Sequence, residues 1–194
     1  MHTCSKMEET KTKATSLFEE IEMPEGVTAD FTESILTIKK GQDEIQRRIN
    51  PMIEVKVEGN KITLIVRRVR KTEKKMFGTT KAHVRNMVKG FDEPFKYKLH
   101  IANVHFPMTV THDKDNNQLF VKNFLGEKTD RKIKLVPGVN IKLGKEEIDL
   151  EYFDREKAGQ CAANIEKGTR VRNKDRRIFQ DGIFIIEKPN RKFM

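Results

Sequence analysis

A twelve-residue pattern that occurs twice constrains the fold of this chain more than any other feature. Residues 53–64 read IEVKVEGNKITL and residues 139–150 read VNIKLGKEEIDL, an offset of 86 positions. In both copies apolar and polar residues alternate around a turn, as in a hairpin of two strands with one buried face. Two copies of one structural unit are therefore expected.

The residues around the first copy extend the unit. A hairpin turning at Gly41 is predicted over 35–49, and a second over 53–66 turns at Gly59 and Asn60. A helix is predicted from Lys71 to Lys89, because apolar residues recur there at helical spacing. Gly90 is placed as its stop.

The second copy repeats this order. Hairpins are predicted over 119–135 and over 139–152, the latter turning at Gly144. Asp154 is a suitable N-cap for a helix that Gly168 ends. A strand starting near Phe91 should open this copy, and a strand over 182–187 should close it.

The predicted fold class is α+β, with two tandem duplicated domains, each a small, mainly antiparallel sheet packed against one helix. The polar residues 1–18 are assigned to a flexible tail. The first domain is assigned to 19–90 and the second, the main RNA-binding domain, to 91–188. Residues 189–194 form a predicted carboxyl-terminal tail.

The charge balance indicates a polyanionic partner. Lys and Arg number 39 against 29 Asp and Glu, which gives a formal charge of +10. Nucleic acid is the commonest such partner, because cations that neutralise phosphates release condensed counterions. A membrane surface is the weaker alternative, since no apolar run approaches the roughly 18 residues that span a bilayer. Two cysteines and the lack of a secretory signal favour a reducing, cytoplasmic location.

The strongest candidate site lies between the second helix and the closing strand. Asp175 is the one acid of residues 167–179, Asn173 can hydrogen-bond a base or sugar edge, and Phe179 can either stack on an unpaired base or belong to the core. Arginine forks onto phosphate oxygens. The cations of this segment are Lys167, Arg170, Arg172, Lys174, Arg176 and Arg177.

A second basic stretch begins at Arg67 and leads into the first helix. RNA contact through Lys71, Lys74 and Lys75 and an exposed, solvated face are equally compatible with this pattern.

No catalytic, metal or cofactor site is predicted, and no small-molecule substrate. His100 and His105 lie five apart on a predicted strand, so their side chains leave opposite faces and cannot hold one ion. Cys161 lies among alanines on a core-facing helix turn and fits a buried apolar role.

Several motifs resemble the family of large-subunit ribosomal protein six over about residues 21–187. They are HVRNMVKG from His83 to Gly90, FKYKL from Phe95, NFLGEK from Asn123 to Lys128, VPGV from Val136, and NKDRR from Asn173 to Arg177. The last three resemble its archaeal and eukaryotic branch.

This resemblance implies a non-enzymatic constituent of the large ribosomal subunit that binds large-subunit rRNA near the sarcin-ricin loop and the base of the factor-binding stalk, beside neighbouring ribosomal proteins. It places the main RNA contacts in the second domain, on Arg172, Asn173, Lys174, Arg176 and Arg177, and also on Lys128. The bacterial branch has a glycine- and lysine-rich motif where this chain has Lys174 to Arg177. A free-standing regulatory RNA-binding module is the alternative.

Overall fold

The computed structural model describes residues 16–193, and the chain divides into two units between Arg85 and Asn86. We call the residues before this division unit 1 and those after it unit 2. Most of the predicted tail over 1–18 lies outside the described residues, but Leu17 and Phe18 belong to a strand.

Unit 1 is built from six strands followed by a helix. β2, β3 and β4 form one antiparallel sheet, and the other has the order β1-β6-β5. The elements are β1 (Leu17–Glu22), β2 (Thr28–Thr32), β3 (Ile35–Lys40), β4 (Asp43–Arg48), β5 (Glu54–Glu58), β6 (Lys61–Val66) and α1 (Lys71–Asp92).

The predicted hairpins of unit 1 are confirmed as β3-β4 and β5-β6. Between β5 and β6, Gly59 has a φ of 57°, a conformation that glycine adopts without steric cost. On β6 every second side chain, Ile62, Leu64 and Val66, is buried. α1 is tied to β1 by Glu19, which pairs with Lys81 at 2.7 Å and also with Arg85.

Unit 2 repeats the six strands and the helix and then adds two strands. Its three-stranded sheet has the order β10-β9-β8, and its five-stranded sheet the order β11-β12-β7-β13-β14. The elements are β7 (Phe95–Ala102), β8 (Thr109–Asp113), β9 (Gln118–Lys122), β10 (Arg131–Lys134), β11 (Asn140–Leu143), β12 (Glu147–Tyr152), α2 (Arg155–Gly168), β13 (Gly182–Lys188) and β14 (Arg191–Lys192). The predicted carboxyl-terminal tail thus includes β14.

The core of unit 2 is formed by α2 and by residues of both sheets. Ala158, Cys161, Ala162 and Ile165 of α2 are fully buried with residues such as Leu99 of β7. Asp154 caps α2 as expected, because its carboxylate accepts the Glu156 backbone N–H at 2.9 Å. Burial raises the pKa of the Cys161 thiol, which fits a packed rather than a reactive cysteine.

The duplication predicted from the sequence is confirmed. β1-β6-β5 corresponds to β7-β12-β11, β2-β3-β4 corresponds to β8-β9-β10, and a helix follows the sixth strand each time. Lys61 and Glu147, the first residues of β6 and β12, are 86 positions apart, the offset of the sequence repeat.

Three local predictions were wrong. α1 runs two residues past Gly90, so Gly90 does not end it, and the following strand begins at Phe95 rather than near Phe91. His105 lies in the loop after β7, not on the strand with His100.

Candidate nucleic-acid interface

Hydrogen bonds link three loops of unit 2, either directly or through Arg131. The loops are 103–108 between β7 and β8, 123–130 between β9 and β10, and 169–181 between α2 and β13. We call this the three-loop surface. Loop 169–181 contains most of the predicted RNA-binding residues, and its fixed geometry follows from a few buried hydrogen bonds.

Both ends of loop 169–181 are joined through Thr169, which is buried. Its hydroxyl donates to the Ile165 carbonyl of α2 at 3.2 Å and accepts the Ile183 backbone N–H of β13 at 3.0 Å. A buried hydroxyl with both bonds made is well satisfied, whereas an unpaired one would be costly. The loop therefore leaves and re-enters the core at one fixed point.

Asp175, the one acid of residues 167–179, organises the loop itself. Its carboxylate accepts the Arg177 backbone N–H at 2.9 Å, and its backbone carbonyl accepts the Phe179 N–H at 2.9 Å. Asn173 has a φ of 56°, which asparagine tolerates better than most residues. The carboxylate thus serves the turn rather than a guanidinium.

The arginines of this loop are left exposed. Arg170, Arg172, Arg176 and Arg177 are all solvent-accessible, and no acid among residues 16–193 forms an ion pair with them. Elsewhere in the described chain Arg67 pairs with Glu54 at 2.8 Å. Exposed guanidinium groups on an anchored loop, without ion-pair partners among the described acids, are suited to phosphate.

Phe179 belongs to the packed side of the loop. Its ring is half-buried against the core of unit 2 and lies 5.1 Å from the His105 ring, centroid to centroid. The Lys174 ammonium lies 4.5 Å from the ring centroid, within cation–π range. Of the two roles open for Phe179, this arrangement favours the core.

His105 fastens loop 103–108 to the end of loop 169–181. Its backbone N–H and its Nδ1 contact the two carboxylate oxygens of buried Asp181, at 2.9 and 2.6 Å. Burial opposes ionisation of Asp181, but the hydrogen bonds from His105 outweigh it and hold the pKa of this carboxyl below its ordinary value.

Arg131, at the start of β10, fastens loop 123–130 to loop 169–181. Its guanidinium donates to the Gly168 and Arg170 carbonyls, each at 3.1 Å, and to the Glu127 carboxylate at 2.8 Å. It also lies 3.9 Å from the centroid of the Phe124 ring. Arg131 was not predicted, because the sequence does not distinguish a charged strand residue that bonds within the protein from one that faces solvent.

Loop 123–130 is close enough to loop 169–181 for their charges to interact. The hydrogen bond from Arg131 holds the pKa of Glu127 below its ordinary value, and the positive charge of Lys174 adds to this effect. Lys128 is exposed on the same loop.

Leu125, also in loop 123–130, has a φ of 50°, uncommon for a residue with a branched side chain. Such strained residues persist where their surroundings fix them, often at functional sites.

The second predicted cluster lies in the other unit. Lys71, Lys74 and Lys75 are exposed on the first turns of α1, with half-buried Glu73 among them. These lysines therefore belong to unit 1, whereas the cations of the three-loop surface belong to unit 2. Their RNA contact stays a prediction.

Three exposed apolar side chains of the three-loop surface were not predicted. Val104, Phe106 and Ile178 are 65, 46 and 62% exposed. Val104 and Phe106 are in loop 103–108, whereas the sequence pattern extended the strand as far as His105. Their exposure depends on where that strand ends.

Other kinds of site lack structural support in the part of the chain that the structure describes. No three His, Cys, Asp or Glu side chains of residues 16–193 are grouped as metal ligands would be. Within the same range neither α1 nor α2 is long and apolar enough to cross a membrane.

Fold and surface together define a class: duplicated α+β proteins that present a cationic, loop-built surface to a polyanion. Two stretches of the chain, 23–93 and 106–182, match the family described as Ribosomal protein L6, one stretch for each repeat. The chain is 42% identical over 171 residues to the large ribosomal subunit protein uL6 of Methanococcus vannielii, covering 88% of this chain and 93% of that protein. It is 37% identical over 176 residues to the uL6 protein of Methanobrevibacter smithii, covering 90% and 98%.

The chain belongs to the ribosomal protein L6 family and is of the archaeal type. Membership in this family of structural ribosomal components confirms the predicted resemblance and the non-enzymatic assignment.

Proposed function

We propose that the protein is a structural constituent of the large ribosomal subunit, and that the three-loop surface anchors it to large-subunit rRNA near the sarcin-ricin loop and the base of the factor-binding stalk. The observation that supports this most directly is that loop 169–181 is anchored at its ends and exposes its arginines. Its ends are fixed by Thr169, and its arginines are exposed without ion-pair partners among the described acids.

In this proposal Arg172, Arg176 and Arg177 pair with phosphate oxygens, and Asn173 hydrogen-bonds a sugar or base edge. Lys128 and Arg170 extend the same cationic surface. Lys174 contributes charge from an ammonium group that lies over the Phe179 ring. Lys71, Lys74 and Lys75 provide a second, weaker phosphate contact from unit 1. Neighbouring ribosomal proteins are the remaining partners.

A salt titration of binding to an rRNA fragment carrying the sarcin-ricin loop tests the anchor. Affinity should fall steeply with salt, because each phosphate contact releases counterions. The double variant Arg176→Ala, Arg177→Ala should flatten the log–log slope by about 1 to 2, at about 0.7–0.9 for each lost contact. An unchanged slope would refute the assignment of these arginines.

A matched control is the double variant Lys114→Ala, Lys145→Ala. It removes the same charge from exposed positions of unit 2 outside the three loops, so its slope should stay near that of the wild type. Sedimentation distinguishes the alternative: a ribosomal constituent sediments with large subunits, whereas a free-standing regulatory module is recovered apart from them.

A further inference from the structure

A surface pocket of about 750 Å³ adjoins loop 169–181, and the phosphate contacts proposed above do not account for it. Pockets that hold small organic ligands range from about 300 to 1,000 Å³. The space is therefore adequate for a nucleotide.

The floor of the pocket is apolar and aromatic. Phe184 and His100 are cross-strand partners on β13 and β7, so their side chains lie on the same face of the sheet, and both line the pocket. Both are half-buried. Aromatic faces of this kind stack on an unpaired base, which contributes to binding irrespective of base identity.

Most of the charged side chains that line the pocket are cationic. Lys167, Arg170, Arg176 and Arg177 line the pocket, against the two acids Glu166 and Asp181. The Asp181 carboxylate already accepts two hydrogen bonds from His105. The pocket is therefore complementary to an anion with an apolar, planar part.

A second concavity of about 520 Å³ shares Lys167, Arg170 and Val171 with the first and adds Arg172 and Asn173. The shared residues form the ridge between the two. A phosphate that links two successive nucleotides would cross this ridge and meet the Lys167 and Arg170 cations. Two adjoining concavities with shared cations are the arrangement that two successive nucleotides of a single strand require.

The wall also offers a polar contact to a base edge. The Gln180 amide group donates to the Arg177 carbonyl at 3.1 Å, which fixes the orientation of its carboxamide beside the pocket. RNA-binding proteins read splayed-out bases by such hydrogen bonds combined with stacking.

We infer that this pocket takes one unpaired nucleotide of the bound rRNA, with its base over Phe184 and His100 and its phosphates at Lys167 and Arg170. The inference rests on the proposed function and adds a nucleotide-binding site to it. A polyanion held by charge alone would need no aromatic floor.

The test compares Phe184→Leu with Phe120→Leu, using the full chain and the rRNA fragment named above. Leucine keeps apolar bulk and removes the aromatic face. Phe120 of β9 is also half-buried but does not line the pocket, so it is a matched control. Phe184→Leu should weaken binding about tenfold with an unchanged salt slope, and Phe120→Leu should stay within about twofold.

Ultraviolet crosslinking of the wild type provides a second measurement that does not depend on the stability of a variant. Fragment-ion mass spectra should place an RNA adduct on Phe184, within the tryptic peptide 178–191, since the Lys188–Pro189 bond resists trypsin. If both phenylalanine variants bind like the wild type and no adduct forms there, the pocket inference is overturned while the arginine-dependent anchor stands. If the wild type itself shows no salt-dependent binding, the proposed function fails and this inference with it. An adduct to a protein instead of RNA on intact subunits would also overturn it.

Discussion

The two glycines within α1 have opposite surroundings. A Cβ on Gly90 would lie 1.9 Å from the Phe153 carbonyl oxygen, whereas one on Gly78 would meet nothing within 4 Å. Non-bonded heavy atoms essentially never approach a Cβ within 3.0 Å, so the helix and the backbone at Phe153 would have to separate.

Alanine at these two positions should therefore change stability in opposite directions. Gly90→Ala should lower the free energy of unfolding by about 1–3 kcal/mol, the usual cost of overpacking. Gly78→Ala should raise it by about 0.5–1 kcal/mol, because alanine restricts the unfolded chain and favours helix. Urea denaturation of both variants measures the difference, and equal midpoints would contradict the close approach seen at Gly90.

Gly90 also shows a limit of prediction from sequence. A glycine near the end of a helical pattern most often ends the helix. The sequence of α1 does not reveal that Phe153, 63 positions later, packs against it. The requirement is a tertiary contact, and local patterns do not contain it.

Among the secondary-structure elements, the hairpins were predictable and the loop contacts were not. β5-β6 and β11-β12 follow from alternation and turn residues, all within about a dozen positions. The first two residues of β1 were assigned to a tail because residues 1–18 are polar and unpatterned. In the structure Ile21 is the one residue of this strand that is buried. The three-loop surface depends on pairs such as His105 with Asp181, 76 positions apart.

Arg131 of β10 links loop 123–130 to loop 169–181, and the variant Arg131→Lys tests this role. A lysine keeps the charge but cannot donate to Gly168, Arg170 and Glu127 together while lying on the Phe124 ring. The free energy of unfolding should fall by about 1–3 kcal/mol, the usual range for lost charged hydrogen bonds. Hydrogen exchange should accelerate in 124–130 and 168–173.

The affinity for RNA and its salt dependence show whether Arg131 positions the two loops or contacts a phosphate directly. If its guanidinium only holds the two loops together, Arg131→Lys should weaken binding without changing the salt slope. Lys132→Gln is the neighbouring control, since Lys132 is exposed on β10 and makes none of these contacts. A flattened slope in Arg131→Lys would instead indicate a phosphate contact.

At the scale of the whole molecule, the positive charge is concentrated rather than spread. Residues 86–194 contain 22 Lys and Arg against 16 Asp and Glu, and six of these cations with one of the acids lie within 167–177. Without that segment the rest of unit 2 has 16 cations and 15 acids and is nearly neutral. Residues 1–85 have 17 cations and 13 acids, so their excess is smaller.

Two triple variants with the same net charge test whether this concentration matters. Arg172→Gln, Arg176→Gln, Arg177→Gln and Lys71→Gln, Lys74→Gln, Lys75→Gln each lower the formal charge of the chain from +10 by three. The loop triple should flatten the salt slope for rRNA binding by about 2 to 3, because three fixed phosphate contacts are lost. The helix triple should flatten it by about 1 or less, since Glu73 lies among those lysines and already offsets part of their charge. Equal flattening by the two triples would mean that overall charge, and not the three-loop surface, governs binding.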